Sequence, residues 1–273
     1  TDSPANTVEA NLQKGDVLVA VNGERIDPKL NREGYLASAI KNPEVKMTFS
    51  RAGKEVEIKL HTVTYAQVKN WLYNEWEDTN RALVDRLGDG QIAYTHMRDM
   101  GSEELNEFLK DMHTRTLGKK AIIIDLRYNN GGNVHNEVLE FLSQKAHYQW
   151  AYRDFPSNSH PNVTPGDIPI IALVNERSLS DAEVTSNGIQ TLGLATIVGT
   201  ETYRWIIFTS GTTLLDGSYL RLPAWGCYSL DGKDLESTGV KPDIYVKNTF
   251  EDRLKGRDPQ LERAIEEALK RIK

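Results

Sequence analysis

The chain opens on a β pattern. From Gly15 the run GDVLVAVNGERI gathers apolar residues on either side of Asn22-Gly23, a dipeptide that accepts positive φ at both centres of a type I′ turn. It therefore predicts a strand, a hairpin turn and a second strand. A helix-compatible stretch follows over residues 33–40. Residues 45–50 and 55–60 then alternate in strand fashion about Ala52-Gly53, so residues 1–62 read as a small β-domain. Next the period changes: Val68, Leu72, Trp76, Leu83 and Leu87 recur at spacings of four or seven with charged residues between them, one stripe of a helix. This predicts a connecting helix within residues 63–89. From residue 90 onward strand and helix patterns alternate. Residues 91–96 read as a strand, Ser102 as the cap of a helix through Leu105 and Phe108, and residues 121–126 as an unbroken buried strand. A helix through Val138, Leu139 and Leu142 follows Gly131-Gly132. Residues 168–174 form another buried strand, residues 181–189 a helix and residues 196–199 a strand. Asp258-Pro259 opens a terminal helix with Leu261, Ile265 and Leu269 on one face. Such alternation predicts an α/β domain over residues 90–273 with parallel pairing in its sheet.

Composition narrows the choices. At 273 residues, one full domain and a smaller or incomplete one are expected. The chain is 39% hydrophobic and 26% charged, the balance of an ordinary globular protein. A net charge of −6 offers no basic field to gather polyanions, which argues against nucleic acid and against acidic membrane surfaces as partners. Cys227 stands alone, so no intrachain disulfide forms, and no CxxC or Cys/His cluster suggests structural zinc. No run approaches the roughly 18 apolar residues of a membrane-spanning helix. The polar start Thr1-Asp2-Ser3-Pro4 is unlike a signal peptide, and an internal or processed segment with any targeting sequence upstream is expected.

Two βα junctions could carry chemistry. In DLRYNNGGNV, residues 125–134, a buried strand ends in a Gly pair before a helix, so backbone N–H groups can face a developing anion. The same pattern also serves as a plain tight turn, with Asp125 and Arg127 bracing it through ionic contacts. In NERSLSDAEV, residues 175–184, a serine sits between a buried strand and a helix start, which suits acyl transfer. Alternatively, Ser178 or Ser180 simply caps the helix. Both junctions can meet at the carboxyl edge of one sheet, one offering a nucleophile and the other a backbone donor.

Taken in order, the GDVLVAVNG hairpin, the DLRYNNGG loop, the NERSLSDAE elbow, the GLATIVGTET strand, the STGVKPDI segment and the DPQLERAIEEAL helix resemble the carboxyl-terminal processing peptidases, serine peptidase family S41. YTHMRDMGSEELNEF and DLESTGVKPDI are most similar to the tricorn protease core branch. The resemblance implies an α/β fold of the ClpP/crotonase-like kind, a mixed sheet with helices, behind the connecting helix and a PDZ-like β-domain lacking its first strands. It implies Ser180 as nucleophile, with Ser178 the second choice, and oxyanion donors from the N–H of Asp181 and of Gly131 or Gly132. Glu236 would support a catalytic histidine lying upstream of Thr1, which would leave this fragment inactive by itself.

The chain departs from the family pattern in two ways. The lysine of a Ser/Lys dyad falls on Trp205, and Arg204 is too weak an acid to serve as a base. The tricorn branch carries a Gly-rich stretch where this chain has Tyr203, Arg204 and Trp205, a bulky trio that would narrow the cleft. None of His61, His96, His113, His135, His147 and His160 claims the role of base. The implied function is a serine endopeptidase acting on polypeptides through an acyl-enzyme, with no metal or organic cofactor. Two rivals stand beside it: a non-catalytic peptide-binding member of the fold, favoured by the missing lysine and the bulky trio, and a crotonase-type acyl-CoA enzyme. The terminal helix is compatible with a homo-oligomer, and the periplasm or cell envelope is favoured over the cytoplasm.

Overall fold

The computed structural model describes residues 3–7, 10–37, 42–162 and 165–272. Contacts divide the chain into two compact units, with the boundary between Thr79 and Asn80.

In the first unit, β1 (Val17–Val21) and β2 (Glu24–Arg25) form a hairpin whose turn residues Asn22 and Gly23 have φ of 50° and 84°, as the dipeptide predicts. Helix α1 (Arg32–Ala37) follows; the predicted continuation to Ile40 lies outside the described residues. β3 (Glu44–Arg51) and β4 (Lys54–His61) complete an antiparallel sheet of order β2-β1-β3-β4. Its core is small: Val21, Tyr35 and Val45 are buried, with Leu18, Ile26 and Met47 against them.

Helix α2 (Tyr65–Leu87) carries the unit boundary, and within it Asn80 and Val84 are the buried residues. Leu72 and Leu87 of the predicted stripe are exposed, so Val84, one residue beyond Leu83, is the apolar anchor. The second unit then runs β5 (Ile92–His96), α3 (Ser102–Thr114), β6 (Ala121–Asp125), α4 (His135–Leu142), β7 (Tyr148–Trp150), β8 (Asn158–His160), β9 (Ile170–Val174), α5 (Asp181–Thr191), β10 (Thr196–Gly199), β11 (Phe208–Thr213), β12 (Tyr219–Trp225), α6 (Leu235–Thr238), β13 (Ile244–Tyr245), α7 (Phe250–Leu254) and α8 (Pro259–Arg271). Five strands form one sheet of order β13-β10-β9-β6-β5, and every pair in it is parallel. The unit's antiparallel pairs lie apart, in the ribbons β7-β8 and β11-β12.

Because side chains alternate along a strand, the unbroken apolar runs of β6 and β9 feed two cores. On one face Ile122, Ile124 and Ala172 meet Phe108 and Met112 of α3, Val138 and Leu142 of α4, and Ala182 and Ile189 of α5. On the other, Ala121, Ile123, Ile171 and Leu173 meet Val84 of α2 and Leu261, Ala264, Ile265 and Ala268 of α8. Three expectations need adjustment. Ser102 is the first helical residue of α3, not its cap; Gly101 takes the cap position in extended backbone, with no side-chain bond. β9 begins at Ile170, just past Pro169, which has no N–H to pair. On α8, Ala268 rather than Leu269 completes the buried stripe, following the i, i+3, i+4, i+7 rhythm. No helix among the described residues is long and apolar enough to cross a membrane.

A buried polar chain fixes the carboxyl end of β6. The Arg127 guanidinium donates to Asp125 through Nε at 2.9 Å and through Nη2 at 2.7 Å, and through Nη1 to both Asp258 carboxylate oxygens at 2.8 Å. Asp258 also caps α8 by accepting the Leu261 N–H, while Asp125 accepts the Tyr94 hydroxyl at 2.9 Å. Burial would raise the Asp125 carboxyl, but the adjoining Arg127 holds it below the usual carboxylate range. This is the bracing role that the sequence suggested for the pair. Arg127→Met leaves the buried Asp125 carboxylate and the half-buried Asp258 carboxylate short of their partner and should cost about 3–5 kcal/mol in urea unfolding.

His96 at the end of β5 is buried against the Arg127 carbonyl, 2.9 Å from Nε2. Burial lowers its pKa, against the opposing pull of Asp125. The unfolded chain therefore binds a proton that the folded chain refuses, so stability is full above about pH 6.5 and declines as pH falls below it. Unfolding titrations at successive pH values should show this slope in the wild type and a flatter one in His96→Gln.

Candidate active site

The loop after β9 is held by its own backbone and by one serine. Ser178 is fully buried; its hydroxyl donates to the Leu126 carbonyl at 2.8 Å and accepts the Asn175 N–H at 3.0 Å. That hydroxyl is committed to structure, which separates the two candidate serines. Asn175 Oδ1 accepts the N–H groups of Tyr128 and Arg177, each at 3.1 Å, and Leu179 N–H reaches the Asn129 carbonyl at 3.1 Å. The chain then turns at Ser180, the half-buried N-cap of α5, with φ 56° and ψ −119°. For a residue with a side chain this conformation costs about 1–3 kcal/mol and persists only where neighbours over-determine it. The capping reading and the nucleophile reading thus fall on the same residue.

The glycine loop lies against this serine. Gly131 has φ 76°, and a Cβ there would stand 2.6 Å from Ser180 Cβ and 3.1 Å from its Oγ. A Cβ on Gly132 would instead meet the Met100 carbonyl oxygen at 2.1 Å. Both must be glycine, for different reasons. Their N–H groups differ too: that of Gly131 is taken by Asn129 Oδ1 at 2.8 Å. The Met100–Gly132 bridge uses the N–H groups of Met100 and Asn133, so it leaves the Gly132 N–H unspent.

Asp181 joins the two junctions. Its buried carboxylate accepts the Val134 N–H at 2.8 Å and the His135 N–H at 3.1 Å through Oδ2, while Oδ1 lies 2.5 Å from His135 Nδ1. It thereby caps α4, whose own cap residue Val134 offers no side-chain bond. The Asp181 N–H belongs to the first turn of α5 and has no intrahelical acceptor. Ser180, Asp181, Gly131 and Gly132 therefore gather at one sheet edge.

Glu183 was not singled out from the sequence, although Ser-Asp-Ala-Glu is the S-x-x-E pattern of a capping box. Its buried carboxylate accepts the Ser180 N–H and reaches across to the stretch after β10, where it accepts the backbone N–H groups of Arg204 and Trp205. Tyr203 and Trp205 stack there, 5.6 Å between centroids, each 48% exposed. A recess of about 620 Å³ lies between Tyr203, Leu179, Tyr128 and Asn130.

Glu236 shares none of these contacts. It is exposed on α6, and its N–H is held by Asp234. The segment after it does reach the site, because Val240 and Thr202 exchange hydrogen bonds at 3.1 and 2.8 Å. Among the histidines, His135 is bound to Asp181, His96 to the Arg127 carbonyl and His113 to the Leu109 carbonyl. No cluster of metal-ligating side chains occurs among the described residues.

The sequence profile of Peptidase family S41 matches residues 90–246, the stretch that holds both junctions. The chain belongs to peptidase family S41. It is 33% identical to the tricorn protease of Thermoplasma volcanium over 97% of this chain and 25% of that one. With tricorn protease homolog 1 of Streptomyces coelicolor it shares 30% identity over 98% of this chain and 25% of the relative. A crystal structure of the tricorn protease superposes with a TM-score of 0.79 at 27% identity, covering 94% of this chain and 25% of that one. The S41 chain thus spans about a quarter of the length of these relatives.

The strain at Ser180 makes a prediction independent of catalysis. Glycine relieves it and alanine does not, so Ser180→Gly should be more stable than Ser180→Ala by about 1 kcal/mol or more. Ser178→Ala, which strands the buried Asn175 N–H and leaves the Leu126 carbonyl only its long bond from the Asn129 N–H, should lose about 1–3 kcal/mol. Urea unfolding of the three variants measures both.

Proposed function

We propose that this S41 chain carries the nucleophile and oxyanion hole of a serine endopeptidase acting on polypeptides. The supporting observation is the strained, half-buried Ser180 at the start of α5, with the glycine loop packed against it and the Asp181 N–H beside it. In this reading Ser180 Oγ attacks the peptide carbonyl carbon, and its proton passes to a histidine base outside these 273 residues, supported by Glu236. The oxyanion takes hydrogen bonds from the Asp181 and Gly132 N–H groups. Gly132 is preferred to Gly131 because the Gly131 N–H is already bound to Asn129. Collapse expels the amine, which receives the proton from the histidine, and leaves an ester on Ser180. Water then attacks this ester by the reverse proton route, releasing the acid and restoring the hydroxyl. Each oxyanion donor would supply about 10²–10³ in rate. The first unit, read as PDZ-like, would dock the polypeptide.

A second reading, a peptide-binding protein without catalysis, draws on the Tyr203–Trp205 stack beside the elbow. Intact-mass labelling of the whole gene product with a fluorophosphonate separates the two. The endopeptidase reading expects one adduct that disappears in Ser180→Ala. Peptide binding without any adduct favours the second reading.

A further inference from the structure

The Tyr203-Arg204-Trp205 stretch stands where the family resemblance implies a glycine-rich one, and it is tightly held. Its anchor is one side chain. Glu183 is fully buried, and its carboxylate faces donors alone: Thr202 Oγ1 at 2.6 Å and Arg204 N–H at 2.8 Å on Oε1, Trp205 N–H at 2.8 Å and Ser180 N–H at 3.0 Å on Oε2. A carboxylate offers about four lone-pair sites, so all of its accepting capacity is used. The donors come from two segments: the elbow residue Ser180 and the stretch of residues 202–205. Further bonds run in parallel, from Tyr203 N–H to the Ser178 carbonyl at 3.0 Å and from Val240 N–H to Thr202 Oγ1 at 2.8 Å.

Two consequences follow. With its N–H drawn toward Glu183, Ser180 cannot turn that group toward a bound carbonyl, and its φ and ψ are held in the strained region. The backbone of Arg204 and Trp205, itself at φ 70° for Arg204, is fixed at the same carboxylate, and with it the aromatic pair. We propose that Glu183 is a positioning residue: it locks the nucleophile and the aromatic wall of the cleft into one geometry, so the reactivity of Ser180 depends on it without its touching the substrate. This rests on the reading of Ser180 as nucleophile.

The test uses the whole gene product, with Glu183→Gln and Glu183→Asp as variants and a fluorophosphonate as probe. Glutamine keeps the shape but turns an NH₂ toward two of the donors; aspartate keeps the charge and the acceptors but is one methylene shorter. Saturation kinetics of labelling separates probe affinity from the bond-forming rate, and amide hydrogen exchange reports on Ser180, Arg204 and Trp205 directly. In the wild type these amides should exchange slowly; in Glu183→Gln they should be released while the strands β6 and β9 stay protected. The bond-forming rate should fall about 100-fold, the scale of a misplaced reacting group, with probe affinity little changed. Glu183→Asp should recover part of both losses. Labelling of folded Glu183→Gln within about twofold of the wild-type rate overturns the proposal, since the expected loss is about 100-fold. So does free exchange of the three amides in the wild type. Protected amides in a wild type that takes no probe would support Glu183 as the clamp and reject Ser180 as nucleophile, so the two ideas fail separately.

Discussion

The bond on which this site depends is the one from the Asp181 carboxylate to the start of α4. Two βα junctions from neighbouring strands of a parallel sheet reach the same edge, but adjacency alone does not give register to their loops. Asp181 supplies the register. Its backbone opens α5 while its carboxylate closes the N-terminus of α4, with three contacts to Val134 and His135. The positive end of one helix is thus satisfied by a residue of the other. The glycine loop lies between these two fixed points, so Gly131 is pressed against Ser180 and Gly132 against Met100.

Around this pair of junctions the buried polar groups form two sets with different tasks. Asp125, Arg127, Tyr94 and Asp258 join β6 to β5 and to the cap of α8. Glu183, Thr202 and Val240 join the elbow to the stretches after β10 and α6. Both sets leave the buried carboxylates with donors, the condition under which buried charge is tolerated. The strained backbone at Ser180 is carried by this scaffolding: Ser178, Asn175 and Asn129 hold one side of the turn and Glu183 the other. Strain that is over-determined in this way is the usual mark of a functional turn.

Much of the fold was legible along the chain. The Asn22-Gly23 hairpin, the buried runs of β6 and β9 and the amphipathic α8 follow from local chemistry, and the structure contains them. The two ribbons β7-β8 and β11-β12 were not read, because their exposed strands carry neither a clean alternation nor a core to face. Ser102 was misread as a cap because Gly101, which has no side chain to announce it, serves equally in extended backbone. Glu183 had a signal, its spacing from Ser180, but the spacing does not disclose the distant donors at residues 202–205.

By itself the sequence determined which residue types stand at the two junctions, since turns, caps and buried strands are set by neighbours within a few positions. Local pattern left Ser178 and Ser180 open, with only the family resemblance preferring Ser180, and it did not separate Gly131 from Gly132, because each pair shares one residue type in one loop. The tertiary structure draws the difference. The Ser178 hydroxyl is spent on the carbonyl of Leu126, 52 positions away, and the Gly131 N–H on the side chain of Asn129, whereas the Ser180 side chain faces the glycine loop and the Met100–Gly132 bridge does not use the Gly132 N–H. Which hydrogen-bonding groups remain available depends on what the whole fold brings within about 3 Å of each, and no local pattern encodes that.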